Sequence, residues 1–224
     1  MTLEEMINGL KEKLLKSATL VQGMVEKSIK SLLERNEKWA REVIEVDEKM
    51  ANENEIVIED EAIKIIALHQ PEATPLRTLI MIIKINNDLE RIGDHAVNIS
   101  EAALSLIPKP YVKKLIDLPR MAEIAIGMLK DSLTAFLRGD GDLAREVCQR
   151  DDTVDGLRDQ IFRELLTFMI SDPKTIERGL LLILITRNLE RIADLATNIA
   201  EDVIFIAEGE VIKHGRGIKE RENL

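Results

Sequence analysis

The sequence predicts an all-α protein made of two tandem, internally repeated three-helix bundles. Three observations carry that prediction. Hydrophobic residues make up 45% of the 224 positions but aromatics only 3%, so the apolar content is Leu, Ile, Val, Ala and Met, the material of helices packed on helices. Long runs with apolar residues three and four apart are punctuated by Gly, Pro and Asn. The six-residue pattern Leu-Glu-Arg-Ile-small-Asp occurs at Leu89 to Asp94 and again at Leu189 to Asp194.

Thr2 followed by Glu5 forms a capping box, and the helical pattern behind it runs to about Arg35. A second run extends from about Glu37 to Leu68 and ends at His69-Gln70-Pro71. Thr74-Pro75 then supplies an N-cap with proline at the first helical position, placing the start of the third helix near Pro75. That helix continues to about Ile107, where Pro108 and Pro110 close the first half. In the second half Asp117 caps a helix to about Leu137, and Gly139 to Asp142 breaks it. Another runs to Ile170, and Ser171-Asp172-Pro173 opens the last, which ends near Gly209. The expected division is residues 1–110 for the first bundle, 111–209 for the second and 210–224 for a flexible tail without a repeat. Of the two arrangements compatible with this pattern, bundles end to end or a merged six-helix body, the completeness of each repeat favours the first.

Duplication is visible residue by residue. Leu89 to Glu101 and Leu189 to Glu201 share nine of thirteen residues at a constant offset of 100. Upstream, Ala40-Arg41-Glu42-Val43 recurs as Ala144-Arg145-Glu146-Val147 at an offset of 104, so the first half carries extra residues between the two blocks.

Charge and composition exclude several functions. A net charge of −10 opposes the phosphate neutralisation on which nucleic-acid binding depends. The acidic N-terminus lacks the basic-then-apolar order of a signal peptide. The greasiest run, Gly179 to Ile185, lies between Arg178 and Arg187 and falls short of the roughly 20 apolar residues that span a bilayer. A soluble, cytoplasmic protein without direct membrane insertion is expected. The single Cys148 has no disulfide partner and reads as a small core residue in a helix.

On the third helix Ile85, Leu89, Ile92, Ala96, Ile99 and Ala103 form an apolar seam, copied by Ile185, Leu189, Ile192, Ala196, Ile199 and Val203. Glu90, Asp94 and Glu101 fall on the side away from the seam, as do Glu190, Asp194 and Glu201. Outward carboxylates four apart are most often a solvated face, and Arg91 is a ready partner. Their retention through the duplication favours bound ligand over solvent. On the fifth helix Asp151 and Asp155 are spaced to meet Glu190 and Asp194 across a groove, four carboxylates that repel one another without a cation. Oxygen ligands suit Mg²⁺, Mn²⁺, Ca²⁺ or iron. The first half has Asp47 and Glu48, but Ala51 and Asn52 stand where a second Asp belongs, so the second half is expected to hold the better site.

A ferritin-like di-iron enzyme is contradicted, because Ile66, Ile92 and Val211 precede the three histidines where Glu-x-x-His needs Glu. His95 beside Asp94 is an adventitious ligand at most. There is no phosphate loop, no nucleophile-base arrangement and no CxxC pair.

Ala67-Leu68-His69-Gln70-Pro71 with Leu76-Arg77, the two motifs at Leu89 and Leu189, and Ala207-Glu208-Gly209-Glu210 together resemble the PhoU family of phosphate-signalling proteins over nearly the whole chain. That resemblance implies two three-helix bundles with metal ions, iron first, held by Glu90, Asp94, Glu190 and Asp194 with Asp151 and Asp155. The matching first-half motif is Glu48 with Asn52, beside Asp47. It also implies a non-enzymatic negative regulator that links the ATPase subunit of a phosphate ABC transporter to a sensor histidine kinase. Such a protein is a cytoplasmic homodimer, peripheral at the inner membrane through its partners. A carboxylate-bridged metalloenzyme and a metal-free helical scaffold are the alternatives.

Overall fold

A computed structural model describes residues 2–208. The tail 210–224 and the expected helix end at Gly209 lie outside the described residues. Every regular element described is helical: α1 (Leu3–Leu33), α2 (Glu37–Glu42), α3 (Glu48–His69), α4 (Ala73–Leu106), α5 (Asp117–Arg138), α6 (Gly141–Ser171) and α7 (Ile176–Glu208). Helices α2 and α3 are one rod interrupted by a π-helical turn at Val43–Asp47. A 3-10 turn at Pro173–Thr175 leads into α7.

Local signals set most ends. The Thr2 hydroxyl accepts from the Glu5 amide at 3.2 Å while the Glu5 carboxylate accepts from the Thr2 amide at 2.7 Å, a complete capping box. Asp140 caps α6 through the Leu143 amide at 3.0 Å, directly after Gly139, whose φ of +64° ends α5 in the left-handed region. Two predicted starts differ. Thr74 is not the cap of α4, which begins at Ala73, so Pro75 falls in its first turn, where a missing amide is harmless. Asp117 is the first residue of α5 rather than its cap.

Helices α1, α2–α3 and α4 form one bundle and α5, α6 and α7 the other. The end-to-end arrangement expected from the sequence is corrected here: α4 packs along α7, and α1 also touches α5, so the bundles lie side by side over one continuous core. Ile85, Ile92, Ile99, Ile185, Ile192 and Ile199 are fully buried. The seam is shared by both bundles, and neither half has a separate apolar interior. Polar contacts fix the crossing: the His95 ring nitrogen Nδ1 is 2.8 Å from Asn188 Oδ1, and Lys84 donates to Asp202 at 2.8 Å. His95 is therefore engaged at the inter-bundle seam. Beside it Asp88 is pushed up to about 6, chiefly by burial, with Arg91 opposing and Asp202 assisting.

The structure accounts for the extra residues of the first half. Corresponding positions of α1 and α5, and of α2 and the start of α6, differ by 104; those of α3 and the rest of α6 by 103; those of α4 and α7 by 100. The pairs Met24 and Met128, Ala51 and Val154, and Ile92 and Ile192 are all buried, as this correspondence requires. One extra residue is absorbed by the π turn, which widens the helix by a single residue. Three more, 70–72, lengthen the connection before α4.

A shared core predicts one cooperative unfolding transition. Calorimetry should give a van't Hoff enthalpy close to the calorimetric one. Ile192→Ala should lower the stability of the whole chain by about 2–5 kcal/mol, whereas independent bundles would show two transitions with only one affected.

Candidate metal-binding grooves

The carboxylate rows lie along two equivalent grooves, one between α3 and α4 and one between α6 and α7. Within α7, Glu190 and Asp194 are half-buried and one turn apart, and Asp151 and Asp155 on α6 are half-buried opposite them. The wheel correctly separates these residues from the apolar seam, but they face the neighbouring helix at the groove rather than open water. Burial first, then Asp194 and Asp155, push the Asp151 carboxyl up to about 6, with Thr197 opposing. Asp155 is raised as well: burial, Glu190 and Asp194 outweigh the opposing Arg158. The four carboxylates line one groove, near enough to act on one another's charge.

Sequence reasoning missed the cation among them. Arg158, on the same α6 face, donates Nη1 to Asp155 at 3.0 Å and to Glu190, and Nη2 to Asp159 at 3.0 Å. Arg191 donates to Asp194 at 2.9 Å. A five-donor guanidinium fork matches several carboxylates at once. The signal available in the sequence was Arg158 one turn beyond Asp155, on the stripe already assigned to the site. Cys148 borders this groove, and burial together with Glu201 and Asp151 pushes its thiol up to about 12, so it stays protonated.

In the first half the π turn decides the assignments. Asp47, expected in the site, is only 5% exposed and receives the Lys27 ammonium at 2.8 Å. The second bundle has the same contact with its signs exchanged, Arg150 donating to Asp131 at 2.7 Å. Asp47 is thus a structural partner of α1 and is corrected out of the row. After the turn, Glu48 takes the place of Asp151, Asn52 that of Asp155 and Glu55 that of Arg158. Glu55, acidic and just beyond Asn52 in the sequence but not assigned as a ligand from it, belongs to the row: it lies close enough to Glu90 to raise its carboxyl, after burial and Asp94 and against Arg91. The exposed Asp94 completes the row. Asn86, only 2% exposed and one turn before Glu90, donates Nδ2 to the Glu55 carbonyl at 2.9 Å and leaves Oδ1 without a partner.

The donor chemistry of both grooves, carboxylate oxygens lining a half-buried cleft, fits a hard cation. Among the described residues, no three His, Cys, Asp or Glu side chains are gathered closely enough to hold one as they stand. A metal ion would have to draw the carboxylates inward.

These features define the class, a duplicated helical-bundle protein with an acidic groove in each repeat. The PhoU domain family model matches residues 14–103 and again 118–203. The chain belongs to the PhoU family. It is 42% identical over 221 residues to the phosphate-specific transport system accessory protein PhoU homolog of Aquifex aeolicus, covering 99% of each chain. To PhoU homolog 2 of Thermotoga maritima it is 37% identical, over 94% of this chain and 89% of the other. The crystal structure of PhoU from Pseudomonas aeruginosa superimposes with a TM-score of 0.90 at 35% identity, over 93% of this chain and all of that one. That of the phosphate transport system regulatory protein PhoU from Streptococcus pneumoniae gives 0.86 at 26% identity, over 95% and 100%.

Asp151 supplies a pH test. Its carboxyl sits higher in the folded than in the unfolded chain, so the native state binds the extra proton between about pH 6 and 4. Its ionisation therefore opposes folding above that window, and the penalty is relieved as pH falls through it. Asp151→Asn should stabilise the protein at pH 7 by about 1 kcal/mol, discounted for its partial exposure, and lose that advantage below pH 4. Urea titrations at the two pH values measure it.

Proposed function

We propose that this chain is a negative regulator of phosphate uptake and of the phosphate-starvation response. It acts as a non-enzymatic adaptor between the ATPase subunit of a phosphate ABC transporter and a sensor histidine kinase. Metal held among its groove carboxylates shapes the face that the partners read. The relatives that match along the full chain are named as accessory or regulatory proteins of phosphate transport, which supports the transport assignment. The observation that carries the adaptor reading is that both helical repeats keep Glu and Asp at matching groove positions, 90 and 94, 190 and 194, as strictly as they keep the buried seam.

Each groove offers carboxylates to a hard cation, iron first by family resemblance and Mg²⁺, Mn²⁺ or Ca²⁺ by chemistry. Bound metal would neutralise the row and present a polar, positively augmented surface. The protein's own residues would do the rest, the α4 and α7 seam holding both rows rigid relative to one another. No described helix is long and apolar enough to cross a membrane, so contact with the transporter would run through its ATPase subunit. A homodimer working at the cytoplasmic side of the inner membrane completes the proposal.

Co-purification from phosphate-replete cells tests it. The tagged protein should bring down the transporter ATPase. The fourfold variant Glu90→Gln, Asp94→Asn, Glu190→Gln, Asp194→Asn should fold and bring down at least about tenfold less, a loss of about 1.4 kcal/mol in affinity. Consistent absence of the ATPase from the unaltered protein's eluate would overturn the assignment.

A further inference from the structure

We propose that Arg158 is a tethered counter-ion that fills the α6–α7 groove in place of a metal ion, leaving the α3–α4 groove as this chain's high-affinity cation site, with Glu55 among its ligands. The inference rests on the reading of the grooves as metal sites and adds which of the two is open.

Register carries the argument. The π turn at Val43–Asp47 and the three-residue insertion at 70–72 fix Glu55 and Glu90 in the first repeat as the counterparts of Arg158 and Glu190 in the second. Where the second groove has a guanidinium bonded to Asp155, Glu190 and Asp159, the first has a carboxylate. The flanking arginines diverge as well. Arg191 pairs with Asp194 at 2.9 Å, while its counterpart Arg91 turns to Asp88, 3.5 Å away, a position filled by the neutral Asn188 in the second repeat. Among the described residues no ion pair reaches Glu48, Glu55, Glu90 or Asp94.

Asn86 is the independent sign of a ligand. Its side chain is almost wholly buried in the α3–α4 groove, held to the Glu55 carbonyl, with an unpartnered Oδ1 one turn from Glu90. A buried acceptor without a donor costs free energy that a cation or its bound water would recover. In the second groove the same position is Thr186, whose hydroxyl is satisfied by the Leu182 carbonyl at 2.8 Å. Thr197 Oγ1, beside Asp151 in the second groove, is also buried without a partner, but a hydroxyl can donate to that carboxylate, whereas Asn86 Oδ1 can only accept. A metal entering the second groove must first displace a multiply bonded guanidinium.

Mn²⁺ titration of the full chain tests this, read by the six-line electron paramagnetic resonance signal of the free ion. The unaltered protein should take up about one Mn²⁺ tightly, and Arg158→Gln about two. Glu55→Arg should weaken the tight ion at least tenfold without touching the second groove. If Arg158→Gln proves unfolded, Glu55→Arg decides alone, since an unchanged tight ion there defeats the proposal. Two equal ions in the unaltered protein, or no gain in folded Arg158→Gln, overturn the inference while leaving the metal reading standing. No bound Mn²⁺ in any form overturns both.

Discussion

Helices α4 and α7 are each packed by two helices of their own bundle and by one another, and the rest of the structure depends on that contact. It buries the isoleucine seam completely and makes one core of two repeats. It also leaves each of these helices a strip along its groove where charge is tolerated. The strip on α4 is Glu90, Asp94, Asn98 and Glu101, and that on α7 is its copy. The position of the acidic rows is compatible with the packing, because a carboxylate placed in the seam itself would lose its hydration without a partner.

Within that frame one inserted residue makes the repeats unlike. A π turn leaves the helix axis intact but advances everything after it by one position. In the first bundle it sends Asp47 to Lys27 on α1 and brings Glu48, Asn52 and Glu55 to the groove. The second bundle, without the turn, puts Arg150 on Asp131 and delivers Asp151, Asp155 and Arg158. The ion pair to the first helix survives with its charges swapped, and the groove changes from wholly acidic to self-compensated. Two sites that arose from one sequence thereby acquire different electrostatics.

How much of this was legible in the sequence follows the same division. The helices, the seam and the positions of Glu90, Asp94, Glu190 and Asp194 could be read, since a 3.6-residue period and a constant offset of 100 specify them. The pairing of Asp151 and Asp155 with α7 was also visible from spacing. Spacing alone left the register after Val43 open, because a π turn carries no residue signature and counting straight on assigns Asp47 to the groove; only the family resemblance picks out Glu48 with Asn52. Arg158 is plain in the sequence, but ligand spacing alone does not reveal a side chain that takes the place of the cation. The side-by-side packing was hidden for a different reason: an apolar seam reports that it is buried, not how many neighbours bury it.

Anomalous diffraction at the manganese edge, from crystals of the full chain soaked in Mn²⁺, addresses the central claim that these grooves are cation sites made unequal by one residue of register. A peak is expected between α3 and α4, within ligand distance of Glu90 or Asp94, and a weaker one or none beside Arg158. A sole peak at Asp151 and Asp194, or no peak in either groove, would contradict it.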